Sequence, residues 1–136
     1  MNQIDQRSNE ERNAATLARM SDGFRRHDVE AILDTFAEDG RFEITRGPDP
    51  WGERFQGKPA IRKALEQLFA GIADVQFVDA TSWVKGDRGT SEWTCVGTTA
   101  KGRAVRVRGC DLFEFRGGLV ARKDSYFKKV IPPAVG

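Results

Sequence analysis

The spacing of apolar residues along the chain changes from a helical period to a strand period near its middle. In the first half, apolar residues recur every three or four positions, which is typical of helices with one buried face. We expect a first helix after a capping box that begins at Ser8. A second helix is capped by Asp28 and ended by Gly40, and a third follows Gly57. A short strand is predicted over residues 41–45.

The second half of the chain alternates between apolar and polar residues, as half-buried strands do. Glycine-containing turns separate the alternating runs. The predicted strands cover residues 75–84, 90–99, 104–116 and 119–130. Helices followed by an antiparallel meander predict an α+β fold, in which three helices of the N-terminal half pack on one face of the sheet.

The turns also predict which acidic residues are neighbours across the strands. A turn centred on 101–102 places Glu92 opposite Asp111, and a turn centred on 117–118 places Asp111 opposite Asp124. The sequence therefore predicts a row of three carboxylates across three adjacent strands. Because residues 81–136 contain 5 acids against 11 Lys and Arg, these carboxylates stand out.

The face that carries the predicted carboxylate row is the more consistently apolar one, so we expect it to pack towards the helices. Its other members are Thr94, Val96, Val105, Val107, Phe113 and Phe115. The opposite face is predicted to carry Trp93, Leu112, Lys123 and Phe127, among other residues. Exposed aromatic and aliphatic residues among bases favour a surface between two subunits, so we expect a homodimer through this outer face.

Carboxylates at this separation cannot all be ionised in a low dielectric, so at least one should have a raised pKa. Arg122 and Tyr126 lie two residues from Asp124 on the same strand. Arg122 can neutralise one acid, and Tyr126 can donate a hydrogen bond. An ionised base beside a protonated donor is the pair that acid–base catalysis requires. The alternative is a solvated ion-pair network that does no chemistry.

Composition limits the classes of protein that this chain can belong to. Lys and Arg number 22 and Asp and Glu number 20, and the resulting net charge of +2 does not indicate a nucleic-acid partner. One His and two Cys exclude a zinc finger and a disulfide framework, and no apolar run is long enough to predict a membrane segment. We expect a soluble cytoplasmic protein with one domain over residues 1–136, of which residues 1–8 form a disordered tail. No pattern calls for a metal, flavin or nicotinamide cofactor.

Five short motifs, taken in order and spacing, resemble the SnoaL-like proteins of the nuclear-transport-factor-2-like superfamily, which includes ketosteroid isomerases and limonene epoxide hydrolases. The motifs occupy residues 28–32, 36–39, 55–62, 109–115 and 122–127. The resemblance implies a cone-shaped fold in which a curved antiparallel sheet and the helices enclose an apolar pocket. The residues expected to line the pocket are Met20, Phe24, Phe42, Ile44, Trp51, Phe55, Thr94, Val107 and Phe113.

The resemblance to the isomerases covers one of their three functional positions. Asp111 matches the aspartic acid that donates a hydrogen bond to the oxyanion. The tyrosine donor and the aspartate base of the isomerases fall on Met20 and Ile44. Neither side chain can perform those roles, so the resemblance does not imply steroid isomerase activity.

The resemblance to limonene epoxide hydrolase concerns a different set of residues. Asp124 matches the aspartate of that enzyme's last-strand motif, and Glu92 lies near its second aspartate. Arg122 could replace its arginine from a different strand, whereas its water-holding tyrosine and asparagine have no match.

Our first hypothesis is a cofactor-independent enzyme that acts on a small, mostly apolar, oxygen-containing substrate by isomerisation, cyclisation or dehydration. Asp111 would be the protonated donor, Asp124 or Glu92 the base, Arg122 the orienting counter-charge and Tyr126 a second donor. An epoxide hydrolase is one alternative. Another is a non-catalytic module in which Arg122 holds the anionic group of an apolar ligand.

Overall fold

Three helices and six strands make up residues 3–132, the part of the chain that the computed structural model describes, with side chains described from residue 7 onward. The helices are α1 (Gln3–Arg26), α2 (Val29–Leu33) and α3 (Lys58–Gly71). The strands are β1 (Phe36–Glu43), β2 (Arg54–Gln56), β3 (Gln76–Lys85), β4 (Arg88–Thr98), β5 (Ala104–Arg116) and β6 (Leu119–Phe127).

The six strands form one sheet in the order β2-β1-β6-β5-β4-β3. Neighbouring strands are antiparallel except β1 and β6, which are parallel. The helices cover one face, which we call the inner face, and the opposite face is the outer face. This architecture confirms the predicted α+β class, with the parallel β1–β6 pair added to the predicted antiparallel meander.

The main hydrophobic core lies between the helices and the inner face. Ile32 of α2, Ile61 and Leu65 of α3, Phe36 of β1 and Val120 of β6 are completely buried and belong to one cluster. Burial of side chains of this size stabilises the fold by about 1.5–3 kcal/mol each. Ile32, Ile61 and Leu65 thus hold α2 and α3 against the sheet.

The second helix is shorter than predicted. Asp28 caps it as expected, since its Oδ1 accepts a hydrogen bond from the Ala31 N–H at 3.0 Å. The helix ends at Leu33, however, and Phe36 already belongs to β1, where it pairs with Val120. The prediction that the helix continues to Gly40 was wrong, because a buried strand residue can sit at helical spacing from the preceding helix.

The first helix is longer than predicted. It begins at Gln3, so residues 3–8 form its first turns instead of a disordered tail, and Ser8 lies inside the helix. A polar segment can be helical when its residues do not oppose the helical backbone. Met1 and Asn2 lie outside the described residues. Within the described residues, no helix has both the length and the hydrophobicity to cross a membrane.

The sheet register differs by one residue from the prediction on both sides of β5. The turn at 117–118 is confirmed, since Arg116 pairs with Leu119, but the pairing shifts between Glu114 and Phe115. Such a shift is a β-bulge, which inserts one unpaired residue into a ladder. On the other side, a five-residue loop joins β4 to β5 where a two-residue turn was expected.

These two shifts decide which face each acid occupies. Asp111 pairs with Ser91 on β4 and Ser125 on β6, so it lies on the inner face with those two serines. Glu92 and Asp124 lie on the outer face. The predicted row of three carboxylates on one face was therefore wrong, because a slip of one residue moves a side chain to the other face.

Candidate functional site

A cavity of about 460 Å³ lies between α1, β3 and the inner face of the sheet. Its wall is largely apolar and includes Leu17, Met20, Phe24, Phe77 and Phe113. Its exposed end is bordered by Asp22, Arg25 and Gln76, and its buried end contains Ser91, Trp93, Asp111 and Lys123. An apolar cavity with a few converging polar groups is the usual form of a small-molecule site.

Asp111 lies at the centre of a cluster of polar side chains at the buried end of the cavity. Lys123 Nζ and Ser125 Oγ donate hydrogen bonds to Oδ1 at 3.0 and 2.5 Å, and Trp93 Nε1 donates to Oδ2 at 2.8 Å. All four residues are at most 8% exposed. Asp111 is the acceptor in all three of these hydrogen bonds, and its charged partner is the Lys123 ammonium. The sequence predicted Asp111 as a hydrogen-bond donor to a substrate, whereas in its contacts within the chain it is an acceptor.

Lys123, like Trp93, was predicted to lie on the opposite face of the sheet from Asp111 but belongs to this site. Its ammonium lies 4.5 Å from the ring centre of Phe42 and 5.1 Å from that of Phe24, within the range of cation–π attraction. It also donates to Ser125 Oγ at 3.0 Å. The bulge in the β5–β6 ladder brings Lys123 onto the same face as Asp111. The sequence alone does not indicate that a lysine in the last strand is buried.

The glycine at position 109 determines how Trp93 lies in the site. Trp93 pairs with Gly109 across β4 and β5, and a Cβ at that position would meet the indole ring at 2.5 Å. Phe77 and Phe127 contact the same indole edge to face, with ring centres at 4.8 and 5.6 Å. The indole is therefore held against bare backbone, with its N–H directed at Asp111.

A second polar network lies on the outer face, around the buried carboxylate of Glu43. Arg122 donates to Glu43 Oε1 and to Asp124 Oδ2, both at 2.8 Å, and Arg54 donates to Glu43 Oε2 at 2.8 Å. Tyr126 donates to Asp124 Oδ2 at 3.0 Å. Arg122, Asp124 and Tyr126, which were predicted to face the pocket, thus form an ion-pair network on the opposite side of the sheet.

The network lowers the pKa of Glu43 and raises the pKa values of Arg122 and Tyr126. Burial alone would raise the pKa of Glu43, but hydrogen bonds from Arg122 and Arg54 and the nearby charge of Arg41 together hold it below its ordinary value. The hydrogen bond to Asp124, together with that residue's negative charge, raises the pKa of Tyr126. Glu43 had no part in the predicted site, and the prediction missed it because it joins β6 through the parallel β1 pairing.

The other predicted site residues divide between the cavity and its surroundings. Met20, Phe24 and Phe113 line the cavity, as expected. Phe42 and Phe55 are buried in the core beside it. The remaining predicted pocket residues are Ile44, Trp51, Thr94 and Val107.

None of these four residues lines the described cavity. Ile44 packs at the edge of the main core, and Val107 packs with Trp93 in a smaller cluster. Thr94 is on the outer face, where its hydroxyl accepts from Arg108. Trp51 is 43% exposed. Glu92, a predicted base, is exposed on the outer face and pairs with Cys110.

Metal ligands do not assemble in the described part of the chain: no three His, Cys, Asp or Glu side chains in residues 3–132 come together as a possible ligand set. The polar groups at the buried end are one carboxylate, one ammonium, hydroxyls and an indole N–H. Such groups can orient a carbonyl compound and exchange protons with it.

Comparison with known families agrees with the fold. The model of the SnoaL-like domain matches residues 17–123. The chain belongs to the SnoaL-like family. The match runs from Leu17 in α1 to Lys123 in β6, and it includes Asp111.

Several solved structures resemble this SnoaL-like chain in fold. A candidate polyketide cyclase from Xanthomonas campestris pv. campestris is 23% identical with a TM-score of 0.78, and the alignment covers 88% of this chain and 93% of that protein. A candidate isomerase from Bacillus subtilis is 22% identical with a TM-score of 0.74, covering 88% of each chain.

TerC, crystallised with polyporic acid, is 20% identical with a TM-score of 0.74, covering 86% of this chain and 92% of TerC. At these identities the similarity shows the NTF2-like fold that this SnoaL-like chain shares. No curated protein matches the sequence.

Proposed function

We propose that this protein is a cofactor-independent enzyme that carries out acid–base chemistry on a small, largely apolar carbonyl compound in the inner-face cavity. The reaction would be an isomerisation, cyclisation or dehydration that begins with removal of a proton next to the carbonyl. The observation that carries the proposal is the carboxyl group of Asp111, buried at the end of an apolar cavity and paired with the Lys123 ammonium. The cyclase and isomerase assignments of the fold relatives support the same class.

Asp111 is the proposed base, and its two oxygens differ in how they are engaged. Oδ1 accepts hydrogen bonds from Lys123 and Ser125, whereas Oδ2 accepts one from Trp93. A carboxylate oxygen has two lone pairs, so Oδ2 has one left to accept a substrate proton. Lys123 fixes the orientation of the carboxylate and provides positive charge near the oxyanion that develops when the proton leaves.

The charges at the buried end also indicate which substrates fit. Asp111 and Lys123 neutralise each other, so the buried end has no unpaired charge for an anionic group of a ligand. Burial of an unpaired charge costs several kcal/mol. We therefore propose an uncharged substrate at this end, with polar groups directed towards Asp22 and Arg25 at the exposed end.

The exchange of α-protons tests this proposal without knowledge of the natural substrate. The protein is incubated in D₂O with 2-tetralone, an apolar ketone, and loss of the α-proton signal is followed by NMR. We expect the parent protein to accelerate the exchange and Asp111→Asn to slow it by about 10²–10⁴-fold, the usual contribution of a positioned base. Equal exchange rates for the parent protein and the variant would show that Asp111 is not the base.

Glu92→Gln is the matched control. Glu92 was a predicted base, but it lies exposed on the outer face. We expect its replacement to leave the exchange unchanged, whereas a site built from the predicted row of carboxylates would lose activity in both variants.

A binding protein without catalysis is the second candidate function, and one observation favours it. Every polar group around Asp111 already has a partner within the chain, as in an ion pair that shapes a cavity without reacting. In that case 2-tetralone would bind without α-proton exchange. The epoxide-hydrolase alternative is not favoured, because the residues expected to carry out that reaction face away from the cavity. These residues are Arg122, Asp124 and Glu92.

We also propose that two copies of the chain associate through the outer face. Trp83 and Tyr126 are 59% and 52% exposed there, beside the half-buried Leu112. Exposed aromatic residues in one patch are typical of protein interfaces. Sedimentation velocity should show a dimer that Trp83→Glu dissociates. A monomer at all concentrations of the parent protein would contradict this proposal.

A further inference from the structure

The amine of Lys123 has surroundings suited to a nucleophile. The residue is 6% exposed and lines the cavity, and Nζ lies near the faces of two phenyl rings. Its hydrogen-bond partners are Asp111 and Ser125, each at 3.0 Å. Lysine in an apolar pocket is the side chain that forms imines with carbonyl substrates, and an adjacent acid–base group can move the protons that imine formation requires.

We propose that Lys123 captures an aldehyde or ketone in the cavity as a protonated imine, with Asp111 transferring the protons. This inference rests on the proposed function, since it concerns the same cavity and the same class of substrate. It goes further by assigning a covalent intermediate to a named nitrogen atom.

The steps of imine formation balance with the Lys123 amine, the Asp111 carboxyl group and the carbonyl compound alone. A proton first moves from Lys123 Nζ to Asp111 along their hydrogen bond, which leaves a neutral amine and a carboxylic acid. The nitrogen lone pair then attacks the carbonyl carbon, the C=O π electrons move to oxygen, and one amine proton transfers to that oxygen. The product of this step is a neutral carbinolamine.

Asp111 then gives its proton to the carbinolamine hydroxyl, which leaves as water while the nitrogen lone pair forms the C=N bond. The products are a protonated imine, one water molecule and the Asp111 carboxylate. No oxidant, reductant or further reactant is needed.

The charge distribution of the product matches that of the resting site. The resting site holds a positive nitrogen between Phe24 and Phe42 with a carboxylate beside it. The protonated imine places its positive charge on the same nitrogen and restores the same carboxylate. No new buried charge appears, so the desolvation cost that hinders buried ionic intermediates does not arise. The α-proton of a protonated imine is also more acidic than that of the ketone, which assists removal by Asp111.

Reductive trapping tests the proposal. The parent protein is incubated with cyclohexanecarbaldehyde and sodium cyanoborohydride, which reduces imines to stable amines, and tandem mass spectrometry locates the added cyclohexylmethyl group. We expect more label on Lys123 than on the exposed Lys128, which serves as the internal reference. We expect excess cyclohexylmethanol, which cannot form an imine, to suppress the label on Lys123 and not on Lys128. Lys123→Arg keeps the positive charge and should lose the label at this position.

A separate measurement shows whether the cavity binds the probe. The chain has three tryptophans, and Trp51 and Trp83 are exposed, so a Trp51→Phe, Trp83→Phe background reports on Trp93 in the cavity wall. Cyclohexylmethanol should change the fluorescence of Trp93 at saturable concentrations.

The outcomes separate the two proposals. If the alcohol binds and Lys128 is labelled while Lys123 is not, the imine is overturned and the cavity keeps its proposed noncovalent role. If the alcohol leaves Trp93 unchanged and Lys123 is unlabelled, both proposals fail. Should Lys123→Arg not fold, competition by the alcohol in the parent protein still decides between these results.

Discussion

Replacing Lys123 by methionine removes one partner of the buried ion pair and keeps most of the side-chain volume against the phenyl rings of Phe24 and Phe42. Lys123 and Asp111 are each 8% exposed at the side chain, with 3.0 Å between Nζ and Oδ1. At that distance, two unit charges attract by about 5 kcal/mol at an effective dielectric constant of about 20. Desolvation opposes this attraction when the pair forms, but after substitution the charge of Asp111 stays buried without its counter-ion.

The expected loss in the free energy of unfolding is about 3–5 kcal/mol, which is the usual effect of removing one partner from a buried pair. A domain of this size is stable by about 5–15 kcal/mol, so the variant should remain folded in the absence of denaturant. Asp111→Asn should cost a similar amount, because it leaves the ammonium buried against a neutral amide.

The double variant isolates the interaction between the two residues. Because both charges are then absent, we expect its loss to be smaller than the sum of the two single losses by about 1–3 kcal/mol. Urea unfolding followed by far-UV circular dichroism gives the three free energies, provided that the slope with denaturant is unchanged. Lys128→Met is the matched control on an exposed lysine and should change stability by less than about 0.5 kcal/mol.

Two results would refute this reasoning. Lys123→Met could be as stable as Lys128→Met, which would mean that the ammonium is not buried beside a carboxylate. Alternatively, the two single losses could add without coupling, which would mean that Lys123 and Asp111 do not interact.

Three further predictions concern other parts of the sheet. Gly109→Ala should lower the free energy of unfolding by about 1–3 kcal/mol and change the emission of Trp93, because the added methyl group overlaps the indole; unchanged emission would contradict that packing. The pKa of Glu43 is lowered on folding, so its ion pairs stabilise the protein above the unfolded carboxyl pKa of about 4.3 and are lost as the pH falls through the lower folded pKa. Glu43→Gln should therefore flatten the decline of stability below about pH 4.5, measured by urea unfolding across that range. Burial raises the pKa of the Cys95 and Cys110 thiols, so both should react slowly with a thiol reagent at pH 8, and the completely buried Cys95 should be the slower of the two.

The local signals in the sequence predicted most of the elements. The period of apolar residues located α3 and the four long strands, because burial of one face imposes that period directly. The cap at Asp28 and the turn at 117–118 also depend on residues within a few positions of each other. The end of α2 could not be located in the same way, since Phe36 satisfies both a helical spacing and a buried strand position.

The site depended on contacts between distant parts of the chain. Asp111 was identified as a candidate from the sequence, because it is one of few acids in a basic segment and matches a family motif. Its partners Lys123, Ser125 and Trp93 were not identified, since the predicted register assigned Lys123 and Trp93 to the other face. Glu43 reaches Arg122 through the parallel pairing of β1 with β6, which no hairpin turn specifies.

The sequence by itself determined the α+β class and the order of most elements, and it singled out Asp111 as a candidate site residue. The tertiary structure decided which residues face the cavity. One bulge between Glu114 and Phe115 and one loop longer than the expected turn each shift the ladder by a single residue. Strand side chains alternate with a period of two, so each shift exchanges the two faces. The hairpin turns alone predict neither the bulge nor the longer loop, and for that reason the pair formed by Asp111 and Lys123 became visible only in the folded chain.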